Sequence, residues 1–277
     1  MNLSESVQVI QCSDGRSLYI KTTPDTVSKF NTTNEMVDWA WWTWNPVTGC
    51  WHGCEYCYAR DIAKRFYETD FEPTFYPDRL KAPQNTKLMT PKRMESEAKK
   101  RKVSLEQAQT FSRNVFTCSM ADLFGKWVPE SWILQVFEAV KSAPEWNFLF
   151  LTKFPQRLKE INDILGGFPA NVWVGTTVDT QARVALAERS FQGIEATVKW
   201  LSVEPMLERL TFNSLEMFDL VAIGGQSKST QVKEFQPDWE WVEHLVQQSR
   251  RSNTAVYFKE NLKSRPKELP LSGLKVA

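Results

Sequence analysis

Residues 147–167 read NFLFLTKFPQRLKEINDILGG. Asn147–Thr152 is a nearly continuous apolar run of strand length, the pattern of a parallel strand covered on both faces. Pro155 suits a first helical turn, Pro155–Leu165 keeps helical period, and Gly166 and Gly167 suit the helix end. The same alternation spreads outward in both directions. Strands are expected at Trp41–Trp44, Asn114–Cys118, Val172–Thr177, Val198–Val203, Leu220–Ile223 and Ala255–Phe258, and helices at Tyr58–Tyr67, Glu130–Lys141, Thr180–Arg189 and Asp238–Arg251. Asp179 is placed to cap the helix after it. Repeated βα units imply right-handed crossovers and an α/β fold, either a doubly wound sheet or a barrel. Six to seven parallel strands favour a partial or complete (β/α) barrel.

Outside this alternation, residues 1–38 read as an N-terminal extension with a short hairpin, Val7–Ile10 and Ser17–Lys21, around Asp14-Gly15. Residues 39–277 form the main domain. It carries a Pro-, Lys- and Arg-rich insertion around 71–112, where Pro91–Gln109 is expected to be one basic helix. That helix offers either a solvated face or a surface, Lys87–Lys102, for an anionic partner.

The chain has 277 residues, enough for one large domain or two small ones, with 42% hydrophobic and 24% charged residues. This is a globular composition rather than a disordered or fibrous one. No apolar run nears the ~18 residues of a membrane span, and the start lacks a signal-peptide pattern. A cytoplasmic protein with no membrane partner is expected. Lys and Arg number 34 against 33 Asp and Glu, so bulk charge gives no grip on nucleic acid. Of twelve tryptophans, Trp39, Trp41, Trp42 and Trp44 crowd one segment. They are either packing or an aromatic wall around a flat ligand.

Polar or small residues follow the apolar runs: Ser119 and Asp122, Lys153, Thr176 and Thr177, Glu204, Gly224 and Gly225, and Lys259. In a parallel barrel the active site lies at the C-terminal strand ends, so these are candidate site residues. Gly224 and Gly225 permit close backbone approach to a ligand.

Three of the five cysteines, Cys50, Cys54 and Cys57, fall in one CxxxCxxC segment. An odd count in a reducing compartment argues for metal or redox chemistry rather than disulfides. Three thiolates suit an iron–sulfur cube with one open iron, or zinc with a fourth ligand from His52, Cys12 or Cys118. His244 reads as structural.

With an aromatic, Tyr56, before the third cysteine and a βα series around it, this loop resembles the cluster loop of radical S-adenosylmethionine enzymes. Cys54-Glu-Tyr-Cys57-Tyr58, Leu151-Thr-Lys-Phe154 and Thr176-Thr177 resemble segments of the spore photoproduct lyases. Trp44-Asn-Pro-Val-Thr-Gly-Cys50, Ser119-Met-Ala-Asp-Leu-Phe124, Leu201-Ser-Val-Glu-Pro205 and Ile223-Gly-Gly-Gln226 resemble a phage and bacterial family of three-Cys-motif proteins.

The resemblance implies a 4Fe–4S cluster held by Cys50, Cys54 and Cys57, with S-adenosylmethionine chelating the fourth iron and yielding a 5′-deoxyadenosyl radical on reduction. It implies cofactor contacts from Tyr56, Tyr58, Ser119, Asp122, Lys153, Thr176, Thr177, Glu204, Gly224 and Gly225. Lys153 would pair with the methionine carboxylate, and Cys118 would donate a hydrogen atom. An external one-electron reductant of flavodoxin or ferredoxin type is implied, with a nucleobase in nucleic acid or a nucleotide as substrate. Two alternatives stand beside it: a non-catalytic iron–sulfur or zinc protein that binds nucleic acid, and a radical enzyme acting on a small molecule.

Overall fold

The structure, a computed structural model, describes residues 6–23, 27–34, 37 and 39–263; parts of the expected N-terminal extension, and residues 264–277, lie outside them. In chain order, β1 (Ser6–Gln11), β2 (Ser17–Thr22), β3 (Asn31–Thr32), β4 (Trp42–Trp44) and β5 (Val47–Thr48) precede α1 (Tyr58–Phe66). After β6 (Thr74–Phe75) and a 3-10 turn come α2 (Ala82–Asn85), α3 (Pro91–Arg101) and α4 (Leu105–Phe111). The chain continues through β7 (Asn114–Thr117), α5 (Glu130–Lys141), β8 (Asn147–Thr152), α6 (Gln156–Leu165), β9 (Val172–Thr177) and α7 (Gln181–Phe191). It ends in β10 (Val198–Val203), β11 (Leu220–Ile223), α8 (Trp239–Arg251) and β12 (Ala255–Phe258).

Two compact units divide the chain. The first holds residues 1–53 and 57–149, the second residues 54–56 and 150–277, so β8 contributes to both. The main sheet has eight strands in the order β12-β11-β10-β9-β8-β7-β4-β3. β4 pairs in parallel with β7, and β9 to β12 are parallel to one another, while the short β3 is antiparallel to β4. No pairing joins β12 to β3 among the described residues, so the expected complete barrel is not closed. A two-residue antiparallel strand occupies the edge that closure would need.

In the first unit, the hairpin of β1 and β2 pairs Ser6 with Thr22 through Gln11 with Ser17. It joins β6 and β5 in a second, four-stranded sheet. The tryptophan-rich segment is core. Trp41, Trp42 and Trp44 are buried, and Phe30 packs 5.1–6.4 Å from the rings of Trp42, Trp44, Trp146 and Phe148. The Nε1 groups of Trp42 and Trp44 donate to the carbonyls of Ser112 and Arg79, both at 2.8 Å. Packing therefore accounts for Trp41, Trp42 and Trp44, and Trp44 also lines a cleft at the end of β4.

The expected single helix Pro91–Gln109 is two helices. Lys102 takes a left-handed backbone (φ 56°) that ends α3, and Ser104 starts α4 through a reciprocal capping box with Gln107. Arg101, counted in the expected basic surface, is instead buried. Its guanidinium donates to the carbonyls of Thr33, Asn34 and Val37 at 2.7–3.0 Å.

In the second unit, all six residues of β9 are buried. Each large aliphatic side chain so buried contributes about 1.5–3 kcal/mol. Gly175 within it is required by its neighbour, since a Cβ there would stand 2.5 Å from the indole of Trp200 on β10. No described helix is long and apolar enough to cross a membrane.

Candidate functional site

The candidate residues fall into two groups, one in each unit. In the first unit the cysteine loop begins at Gly49, whose φ of +84° favours glycine and whose Cβ would stand 2.1 Å from the carbonyl oxygen of Glu72. The adjacent N–H groups are anchored, Gly49 to the Met120 carbonyl at 2.8 Å and Cys50 to the Phe71 carbonyl at 2.9 Å. Cys50 and Cys57 both lie against an apolar cluster of Ala59, Ala63, Phe71 and Met120, and Cys57 is the N-cap of α1. The His52 N–H points at Cys50 Sγ, 3.4 Å away.

All five cysteines are thiols, none in a disulfide, and Cys50, Cys54 and Cys57 are each half-buried. Cys54 groups with the second unit and the other two with the first. Among the described residues no three or more His, Cys, Asp or Glu side chains are gathered to hold a metal ion. The donor set suits an iron–sulfur cluster in kind and spacing, and the metal itself would have to draw the thiols together. Metal sites commonly assemble in this way, because thiolates held close without the cation repel.

At the end of β7, Cys118 is buried and has a left-handed backbone, φ 56°. Burial pushes its thiol up to about 12. Its N–H donates to the Trp44 carbonyl at 2.7 Å. Ser119 Oγ lies 2.8 Å from Thr43 Oγ1 and 3.3 Å from Asn45 Oδ1, and Tyr58 donates from its hydroxyl to the Ser119 carbonyl at 2.7 Å. Asp122 is buried and accepts from the Phe124 N–H at 3.2 Å, shaping the turn. The polar end of β4, Thr43 and Asn45, is thus knitted to the turn Cys118–Asp122.

The second unit gathers Tyr56, Lys153 and two residues that the sequence did not mark as site residues, Asp179 and Arg183. The Tyr56 hydroxyl donates to Asp179 Oδ2, and Lys153 Nζ reaches the Tyr56 oxygen at 2.6 Å and Asp179 Oδ2 at 3.3 Å. Arg183 Nε stands 2.9 Å from Asp179 Oδ1. Burial alone would raise the Asp179 pKa, but Lys153, the Tyr56 hydroxyl and Arg183 outweigh it and hold the carboxyl below its usual range. Tyr56 moves up, first through burial and then through its bond to the anionic Asp179, so it stays a neutral donor. The expected capping role of Asp179 does not occur. Thr180 is the N-cap of α7, because the Asp179 carboxylate is taken by these three partners.

The other candidates of this unit make contacts within the protein. Thr176 donates to the Thr152 carbonyl at 2.9 Å, and Thr177 is buried opposite Ser202. Glu204 is ion-paired with Lys259, and its second oxygen accepts from Asn261 Nδ2 at 2.8 Å. A Cβ on Gly224 would stand 2.7 Å from Asn261 Oδ1, and one on Gly225 would stand 2.6 Å from Gln236 Nε2. Their lack of side chains makes room for Asn261 and Gln236. His244 lies at the surface, near Arg209 and Thr211.

Asp179 and Arg183 had a legible signal. Asp179 follows the apolar run of β9, as the other candidates follow theirs, and stands four residues before an arginine on the next helix. Thr43 and Asn45 had none, because their partners are about 75 positions away in the chain.

Residues 34–269 match the model of a family described as "Protein of unknown function (DUF5131)". No curated protein matches. Among solved structures, a mutant of spore photoproduct lyase with dinucleoside spore photoproduct is 12% identical, with a TM-score of 0.48 over 87% of this chain and 82% of that one. A mutant without that ligand gives 13% identity and a TM-score of 0.47, covering 87% and 82%. A double mutant with bound AdoMet and dinucleoside spore photoproduct gives 12% and 0.46, covering 87% and 81%.

Proposed function

The chain belongs to the DUF5131 family, and we propose that it is a radical S-adenosylmethionine enzyme acting on a nucleobase in nucleic acid or a nucleotide. The observation that carries the reading is the loop from Cys50 to Cys57, with three half-buried thiols and no disulfide. These cysteines would hold a 4Fe–4S cluster. With S-adenosylmethionine bound beside it, that cluster would supply one-electron chemistry able to cleave a carbon–sulfur bond and so lead to hydrogen abstraction from an unreactive C–H.

The chain's own residues bind and orient. Lys153 and Arg183 place two cations beside the Asp179 carboxylate, groups of the kind that bind the carboxylate of an amino-acid moiety. Tyr56 keeps its proton and ties the Lys153 ammonium to Asp179, limiting its rotamers. The buried Cys118 holds its proton at neutral pH, as a thiol that gives up a hydrogen atom must. An external one-electron reductant of flavodoxin or ferredoxin type would deliver the electron.

Anaerobic reconstitution with iron and sulfide, followed by dithionite and S-adenosylmethionine, tests this reading. About four irons per chain and formation of 5′-deoxyadenosine are expected, both lost when the three cysteines are replaced by alanine. Stoichiometric zinc with no 5′-deoxyadenosine would instead favour a non-catalytic metal protein that binds nucleic acid.

A further inference from the structure

The first unit contains a polar cleft of about 280 Å³ beside the end of β4. Its lining includes Lys29, Asn31, Thr43, Asn45, Tyr67 and Arg79, with two cations and no carboxylate. Lys29 is exposed at the cleft. Arg79 is held from behind, its Nη1 donating to the Asn45 carbonyl at 2.8 Å and its guanidinium lying 3.6 Å from the Tyr76 ring centroid. Its Nε and Nη2 donors have no partner among the described residues. The Tyr67 hydroxyl stays protonated, since burial raises its pKa more than the facing Arg79 lowers it.

A guanidinium fork held from behind, an exposed ammonium and several neutral donors without a competing carboxylate match the tetrahedral oxygens of a phosphate. The volume is close to the ~300 Å³ at which small-molecule pockets begin, enough for a phosphate and part of its sugar. Asn45 also accepts the Met120 N–H at 2.9 Å, so the cleft adjoins the Cys118–Asp122 turn. We propose that this cleft is an anion site that takes the phosphate group of a nucleotide or of a single nucleic-acid strand. The site stands on this geometry, and only the choice of a nucleic-acid strand as the phosphate's bearer rests on the proposed function.

Calorimetric titration of the full chain, without cluster and at low salt, tests it with inorganic phosphate, thymidine monophosphate and an eight-nucleotide single-stranded DNA. The mononucleotide and the strand are expected to bind. Lys29→Glu, on an exposed side chain, should weaken both about tenfold or more and lower the salt dependence of strand binding by about one charge. Arg79→Lys, which keeps the charge and loses the fork, should weaken binding as well. Mononucleotide binding without strand binding supports the site with a free nucleotide as its source. Failure of all three probes to bind, or equal affinity in wild type and Lys29→Glu, overturns the proposal. No cluster is needed, so a negative result here leaves the radical reading standing, and the converse holds.

Discussion

Lys153 donates from its ammonium to the phenol oxygen of Tyr56 at 2.6 Å, and the same phenol donates onward to Asp179. A residue of the cysteine loop, a residue after β8 and a residue after β9 thereby become one hydrogen-bonded unit. Removing the centre of that chain should be felt without loss of fold. Tyr56→Phe leaves Asp179 paired with Lys153 and Arg183, so a cost of about 1–2 kcal/mol is expected in urea unfolding. An unchanged midpoint and slope would show that the phenol contributes nothing.

Asp179→Asn is the harsher change. It leaves Lys153 and Arg183 facing each other, with 13% and 25% side-chain exposure, across a neutral amide. A loss of about 3 kcal/mol is expected, larger than for Tyr56→Phe. Calorimetric melting of the two variants side by side gives the order, and the reverse order would contradict the assignment of Asp179 as the hub.

The acid limb of stability follows from the same carboxyl. Its pKa is depressed in the folded state, so its contribution is complete above the ordinary value of 3.8 and is lost as pH falls below that value. Asp179→Asn should flatten this part of the profile. A profile with the same steepness below pH 3.8 in both proteins would place the acid sensitivity elsewhere.

Cys118 behaves in the opposite sense. Its thiol is raised from 9.0 to about 12, so stability that depends on the neutral thiol is intact below pH 9.0 and declines between 9.0 and about 12. At pH 8 the native protein should therefore alkylate at Cys50, Cys54 and Cys57 well before Cys118, as read by mass spectrometry of peptides. Equal labelling of all four would mean that Cys118 is reached by solvent.

Gly49→Ala should prevent normal folding of the cysteine loop. The new Cβ would sit 2.1 Å from the Glu72 carbonyl oxygen, on a backbone with φ +84°. Rigid backbone on both sides leaves no cheap relief, and a loss above about 3 kcal/mol is expected. Gly53→Ala, also at positive φ but with no atom nearby, should cost only about 1–2 kcal/mol. Comparable melting temperatures for the two would refute the steric argument.

Local pattern alone determined much of this protein. Strands such as Asn147–Thr152 and Val172–Thr177, and helices such as Glu130–Lys141, lie where apolar runs and helical periodicity place them, because burial on one or both faces imposes that pattern on neighbouring residues. The cysteine spacing was equally legible, being a property of eight consecutive positions. What only the tertiary structure decided depends on residues distant in the chain. The sheet stays open because β3 ends it with two antiparallel residues, too short to leave a hydrophobic period. Asp179 serves Lys153, Tyr56 and Arg183 rather than its own helix, since a partly buried carboxylate gains more from nearby cations than from one backbone N–H. Arg101 turns inward, and Trp41, Trp42 and Trp44 join the core, through partners that no local spacing could name.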